Sequence, residues 1–260
     1  MKKRQYFALP YIYWMIVFAV VPIIMLLRYA AFDESGHFTG VYFADALSAV
    51  HLRSFLLSLL LAILCTVICL LLAYPMSLIL KSLHVNETGV MIMIVIAPMW
   101  MNYVLRIMSW QLLLSKNGVV NLILTGLGLP PQDLGNSAAA IVIGMVYDYL
   151  PFMLLPVYNT ILSIDHRLIE AAHDLGAGRL AVFSQIVLPL SMPGVISGVI
   201  MVFIPSLTTF AISDMLGGGK VMLIGNIIEQ EFITTMNWHT GSALSLLLLI
   251  FTIPGLFLQR

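Results

Sequence analysis

Charged side chains are rare inside apolar sequence, and this chain carries two in such surroundings, Arg106 and Asp148. Each costs on the order of 2.5–3.5 kcal/mol at a bilayer centre, so each needs a partner or a task. Tyr147 and Tyr149 flank the carboxylate, and Trp100, Tyr103 and Trp110 lie close to the guanidinium in sequence. A carboxylate among aromatic faces suits an organic cation, held by charge and by ring quadrupoles. The same residues also suit a structural role, in which the two charges neutralise each other and the rings mark the membrane interface. Counted at about 1.5 Å per residue, Arg106 lies roughly 12 Å and Asp148 roughly 15 Å from the outer ends of oppositely running segments, so they can meet. Both readings stand at this point.

Other chemistries lack their residues. Gly217-Gly218-Gly219-Lys220 is followed by Val221 where a phosphate-binding loop needs Ser or Thr, and Asp214 stands in place of that motif's first glycine. No His-Glu-x-x-His or Gly-x-Ser-x-Gly pattern occurs, so no catalytic residue, metal or cofactor is expected. His166 and His173 read as solvated rather than as ligands. Cys65 and Cys69 stand one helical turn apart in an apolar run, which suits small buried or lipid-facing groups better than a disulfide. Formal net charge is zero, which gives no hint of a nucleic-acid partner.

The elements that position these residues follow from composition. Of 260 residues 61% are hydrophobic and 9% charged, with mean hydropathy +1.02, so the solvent for most of the chain is lipid. The expected fold is all-α, one polytopic membrane domain over 1–260. Six stretches are long enough to cross a hydrocarbon core: about 10–27, 55–80, 89–114, 138–162, 193–212 and 241–258. The basic start Lys2-Lys3-Arg4 precedes a run too long for a cleaved signal, and is read as the flank of the first span. With the N-terminus inside, seven Lys or Arg fall on the inner side (Lys2, Lys3, Arg4, Lys81, Arg167, Arg179, Arg260) and four outside (Arg28, Arg53, Lys116, Lys220). That bias puts both termini in the cytoplasm. Residues 31–53 read as a solvated loop, 115–128 as a short surface helix, and 214–219 as a turn-rich connection. Prolines 75, 98, 151, 156 and 205 fall within spans and should kink them.

The main polar interruption in the second half is a loop over about 163–190. Asp165 can cap a helix that places Leu168, Ala171, Ala172 and Leu175 on one face, and Gly176 can end it in the left-handed conformation. A second short helix follows the Gly176–Gly178 hinge, with Leu180, Phe183, Ile186/Val187 and Leu190 on one stripe. The result is a compact block able to sit against a partner protein.

Glu170-Ala171-Ala172, then Gly176, then Ile186-x-Leu188-Pro189, resembles the EAA loop of bacterial ABC importer permeases. Ser115-x-x-Gly118-x-x-Asn121, the run from Tyr147 to Met153, Ser213-Asp214 with its glycines, and Gly225-Asn226 look like the spermidine/putrescine permease group in particular. The likeness covers roughly 98–232. Sulfate, molybdate, thiamine and iron permeases share the architecture, and the outer motifs are less specific than the loop. The resemblance implies a type I importer permease fold in the bacterial cytoplasmic membrane. It implies ATP-binding cassette ATPase subunits, a second homologous permease and an extracytoplasmic solute-binding protein as partners, with ATP hydrolysis outside this chain. Glu170, Ala171, Ala172, Gly176 and Ala177 are then the ATPase-coupling residues. Asp148, Tyr147, Tyr149, Trp110, Phe210 and Asp214 are candidates for the substrate pathway. A stand-alone secondary transporter driven through Asp148 is the other reading; it leaves the loop spacing unexplained.

Overall fold

The computed structural model describes residues 9–82, 93, 95–132 and 134–257, and among these the regular structure is helical. In chain order the α-helices are α1 Leu9–Met15, α2 Val21–Ala31, α3 Val41–Ala46, α4 Ala49–Ser82, α5 Tyr103–Leu114, α6 Val119–Gly126, α7 Ala138–Ser163, α8 His166–Asp174, α9 Arg179–Val182, α10 Leu188–Thr208, α11 Ala211–Gly217, α12 Ile224–Ile233 and α13 Trp238–Phe257.

Among the described residues, four continuous helical stretches are long and apolar enough to cross a membrane: Pro10–Ala31, Ala49–Ser82, Ala138–Ser163 and Arg179–Thr208. They account for the first, second, fourth and fifth expected spans, each longer than expected. The sixth corresponds to α13, with a shorter apolar stretch, Trp238–Ile253. The third is interrupted. Its residues 89–92 and 94 lie outside the described residues, a 3₁₀ turn occupies Ala97–Trp100, and α5 starts afresh with Asn102 as its cap. Asn102 accepts from the Val104 and Leu105 amides at 3.0 and 3.2 Å, which satisfies two of that helix's free donors.

Two of these stretches carry a π turn next to a proline. A five-residue π turn, Ile16–Val20, joins α1 to α2 just before Pro22, and another, Phe183–Val187, joins α9 to α10 just before Pro189. Proline has no amide hydrogen and its ring crowds the carbonyl four residues back; widening to i→i+5 bonding lets the helix pass through. The fifth span therefore begins inside the loop, at Arg179, rather than at 193. Two other sequence expectations are corrected. Residues 31–53 contain α3 and the start of α4, and Asp45 accepts a hydrogen bond from Thr240 at 3.0 Å instead of lying free in solvent. The 214–219 connection is largely helix, since α11 runs to Gly217; the turn is confined to Gly218 and Gly219, at φ +55° and +72°.

The chain divides into two compact units. One comprises 1–54 and 227–254. In its described part His239 contacts the Tyr29 carbonyl at 2.7 Å and stacks on Tyr42, while Trp238 packs edge-on against Phe232. The other comprises 55–226 and 255–260 and holds the main apolar core, with Ile141, Met145, Met153, Leu154, Val157 and Ile161 of α7 at its centre. Helices α7 and α10 pack closely because Gly194 and Gly198 stand at the contact. A Cβ on Gly194 would fall 2.6 Å from the Pro156 carbonyl, and one on Gly198 2.7 Å from the Met153 sulfur. Small residues four apart let helix backbones approach in a membrane, where packing drives association.

Candidate functional site

The loop between α7 and α10 is built as its sequence pattern requires at the turns. Asp165 accepts from the Arg167 amide at 3.0 Å and caps α8. At the other end Gly176 has φ +84°, the Gly176 amide donates to His173 and the Ala177 amide to Ala172, both at 2.9 Å. These paired bonds form a Schellman motif, which needs a left-handed residue after the last helical turn. A Cβ at Gly176 would meet nothing within 4 Å, so conformation alone calls for glycine there. His173 Nδ1 lies 3.0 Å from the Ala177 carbonyl and tightens the same turn.

The loop buries one apolar face and leaves another outside. Ile164, Val182 and Val187 form a small core against Leu78, Ile169, Ala172, Ala177 and Phe183. Leu168 is 49% exposed, Leu175 89% and Leu180 85%. Of the face given by the spacing, Leu168, Ala171 and Leu175 point outward, where a partner could meet them, whereas Ala172 joins Ile169 in facing in. The reason is the fixed entry of the chain from Ile164 and the contact with Leu78, which claims the Ile169 side of α8. Lys81 fixes that entry, donating to the carbonyls of Ile161 and Ile164 at 2.8 and 3.0 Å. A cation at a helix C-terminus satisfies orphan carbonyls and opposes the dipole. Sequence reasoning had counted Lys81 only as a topological charge. Of the expected coupling residues, Glu170 and Ala171 are exposed, Ala172 and Ala177 half-buried at the small core, and Gly176 sets the turn between them. Glu170 lies 3.8 Å from His166, an ion pair only when the imidazole is protonated.

The membrane-embedded charges meet. Arg106 Nε lies 2.7 Å from Asp148 Oδ1, with both side chains buried, and an Arg106 terminal nitrogen donates to the Pro98 carbonyl at 2.9 Å. The guanidinium carbon sits 5.7 Å from the centre of the Tyr103 ring and 5.9 Å from that of Tyr147. Trp110 packs edge-on against Tyr147 at 5.3 Å. Tyr149 turns away: its hydroxyl reaches toward the Pro205 carbonyl of α10 at 3.5 Å. Successive helical residues point about 100° apart, so Tyr147 and Tyr149 cannot share one face of α7. Tyr103 takes the second ring position instead. Its spacing three residues before Arg106 on one helix was the available signal.

Phe210 and Asp214 lie elsewhere, the first at the turn between α10 and α11 and the second within α11, and both are exposed. That turn is held by Asn226, whose side chain accepts from Ser213 and from the Leu223 amide at 3.1 Å, and donates to the Phe210 carbonyl at 3.1 Å. Gly225 is required there because a Cβ would stand 2.5 Å from the Thr209 carbonyl oxygen. Ser58, unremarked in the sequence, accepts from the Ile224 amide at 2.8 Å. Asn121 makes a similar clip around α6, donating to the Ser115 and Gln132 carbonyls and accepting from the Gln132 amide.

Comparison with known proteins places this arrangement. Residues 36–260 match the family described as "Binding-protein-dependent transport system inner membrane component". The "Spermidine/putrescine transport system permease protein PotB" of Haemophilus influenzae is 34% identical over 241 residues, 90% of this chain and 84% of that protein. The protein of the same name from Escherichia coli K12 is 35% identical over 253 residues, 94% of this chain and 91% of that protein. A chain of a bacterial alginate ABC transporter, crystallised with an alginate pentasaccharide-bound periplasmic protein, superposes with TM-score 0.82. It covers 98% of this chain and 91% of that one at 18% identity, a likeness of fold.

Proposed function

This chain belongs to the family of binding-protein-dependent transport system inner membrane components, membrane-spanning permeases of ABC importers, and from that premise we propose that its cargo is a polyamine such as spermidine or putrescine. The observation that carries the solute class is the pair of relatives above, 34% and 35% identical and matched over 84% and 91% of their lengths.

The coupling role rests on the loop. Leu168 and Leu175 on α8 and Leu180 on α9 are exposed apolar side chains on a block whose own core is already filled by others, which suits a partner surface. An ATPase subunit is its occupant, with Glu170 and Ala171 beside the stripe and Gly176 setting the angle between α8 and α9. ATP hydrolysis belongs to that subunit, and the chain itself is not an enzyme. The loop and both termini are cytoplasmic. One permease domain spans 1–260, working with a second homologous permease and an extracytoplasmic solute-binding protein. Asp148, Tyr147, Tyr149, Trp110, Phe210 and Asp214 contribute to the substrate pathway. A stand-alone, ion-driven transporter would leave the loop's apolar face without an occupant.

The test is reconstitution of the assembly in proteoliposomes with its binding protein. ATP-dependent uptake of labelled spermidine, competed by putrescine, is expected. Uptake of sulfate, molybdate, thiamine or iron with none of spermidine would contradict the polyamine assignment while leaving the permease class intact.

A further inference from the structure

Asp148 is more than nine-tenths buried, yet it is used at only one oxygen. Its Oδ2 has no hydrogen-bond partner among the described residues, and the Arg106 Nε contact is ionic, with no hydrogen bond aligned along it. A guanidinium kept solely to hold two helices together has a better arrangement at hand. Its planar fork can meet both carboxylate oxygens with two parallel bonds. Here the fork is divided between Oδ1 and the Pro98 carbonyl, and its carbon lies near the rings of Tyr103 and Tyr147.

We propose that Arg106 is a tethered cation occupying a site made for an alkylammonium group, and that a substrate amine displaces it from Asp148 during transport. The inference rests on the polyamine reading and adds the site and the competitor. The acceptors are Oδ1 and Oδ2 of Asp148 and the carbonyl oxygen of Pro98, a number that matches the three N–H donors of a primary ammonium. The Tyr103 and Tyr147 rings supply the faces that favour a cation over water. Pro98 lies in the 3₁₀ turn that interrupts the third apolar stretch, and its carbonyl faces Arg106 because the Ala97–Trp100 turn and the Asn102 cap separate that segment from α5. A bound amine at Asp148 sends Arg106 away from the carboxylate. On release the side chain returns, so the buried carboxylate is not left unpaired between transport cycles. Charge is conserved at each exchange, one cation for another.

The experiment titrates spermidine against the assembled transporter in nanodiscs without its binding protein, reading affinity by ligand-induced thermal shift. Arg106→Gln removes the competitor and is expected to bind spermidine roughly tenfold more tightly than the unaltered chain. Adding Asp148→Asn to it should abolish that gain, and Arg106→Lys, which keeps a cation but loses the planar fork, should fall between. A gain that survives Asp148→Asn, or an Arg106→Gln assembly no tighter than the unaltered one, overturns the proposal. If Arg106→Gln does not assemble, the comparison passes to Arg106→Lys, and affinity no greater than that of the unaltered chain then overturns it. An unaltered assembly that takes up no spermidine in the proteoliposome assay contradicts the polyamine reading itself. Uptake by that assembly with no gain in the variants contradicts only the displacement step.

Discussion

The two ends of α7 solve opposite problems. At its N-terminal end, side chains satisfy backbone. Ser137 caps the helix by accepting from the Ala140 amide, Asn136 lies against Gly218, Asn226 clips the turn after α10, and Asn121 clips the loop after α6. At its C-terminal end Lys81 and Asp165 do such work for the chain entering the loop, but the loop that follows keeps a three-residue core while turning Leu168, Leu175 and Leu180 outward. One end is stitched to itself. The other leaves apolar side chains in the open. A membrane component that passes motion to a partner needs both, a rigid frame and a surface left incomplete.

That contrast can be broken at the stitched end first, where the largest loss of stability is expected. Asn226→Ala strands the buried Leu223 amide, at about 1–3 kcal/mol, while the Phe210 carbonyl keeps the Asp214 amide and the Ser213 hydroxyl. The variant should show a clearly lowered melting temperature in detergent, and an unchanged one would mean the clip is incidental. Gly176→Val acts at the other end and should be milder. It forces a β-branched residue to positive φ in open space, a cost of about 1–2 kcal/mol. Melting should move little, whereas ATPase stimulation and uptake should fall together as the α8–α9 angle changes. Normal uptake in this variant would show that the turn's geometry does not matter for transport.

Local chemistry was legible in the sequence, and choices between neighbours were not. Asp165 and Gly176 were readable because a cap and a left-handed turn depend on a few adjacent residues. The loop's amphipathic character was equally readable. Its inward face was not, because Ile169–Ala172 and Leu168–Ala171–Leu175 are both apolar, and Leu78, some ninety residues earlier, decides between them. The start of the fifth span was hidden for a similar reason. Pro189 looks like a boundary until the Phe183–Val187 π turn carries the helix past it. The equal depth of Arg106 and Asp148 could be counted out along their segments. That Tyr103 rather than Tyr149 joins them depends on how α5 and α7 are rotated about their axes, which spacing alone does not set. Ser58 and Lys81 act across 166 and 80 residues of sequence respectively, beyond the reach of any local pattern.

The central claim is that the outward stripe of the loop is where the ATPase sits. The direct measurement is site-specific crosslinking in native membranes, with single cysteines placed by Leu175→Cys and by Lys220→Cys in a background where Cys65 and Cys69 are replaced by alanine. Leu175 is 89% exposed on the loop, and Lys220 is exposed just beyond the Gly218–Gly219 turn near the other end of α7. The account predicts that a short bifunctional thiol reagent joins the first cysteine, and not the second, to an ATPase subunit, with the yield changing when ATP is bound. A crosslink to the ATPase from position 220, with none from 175, would contradict it.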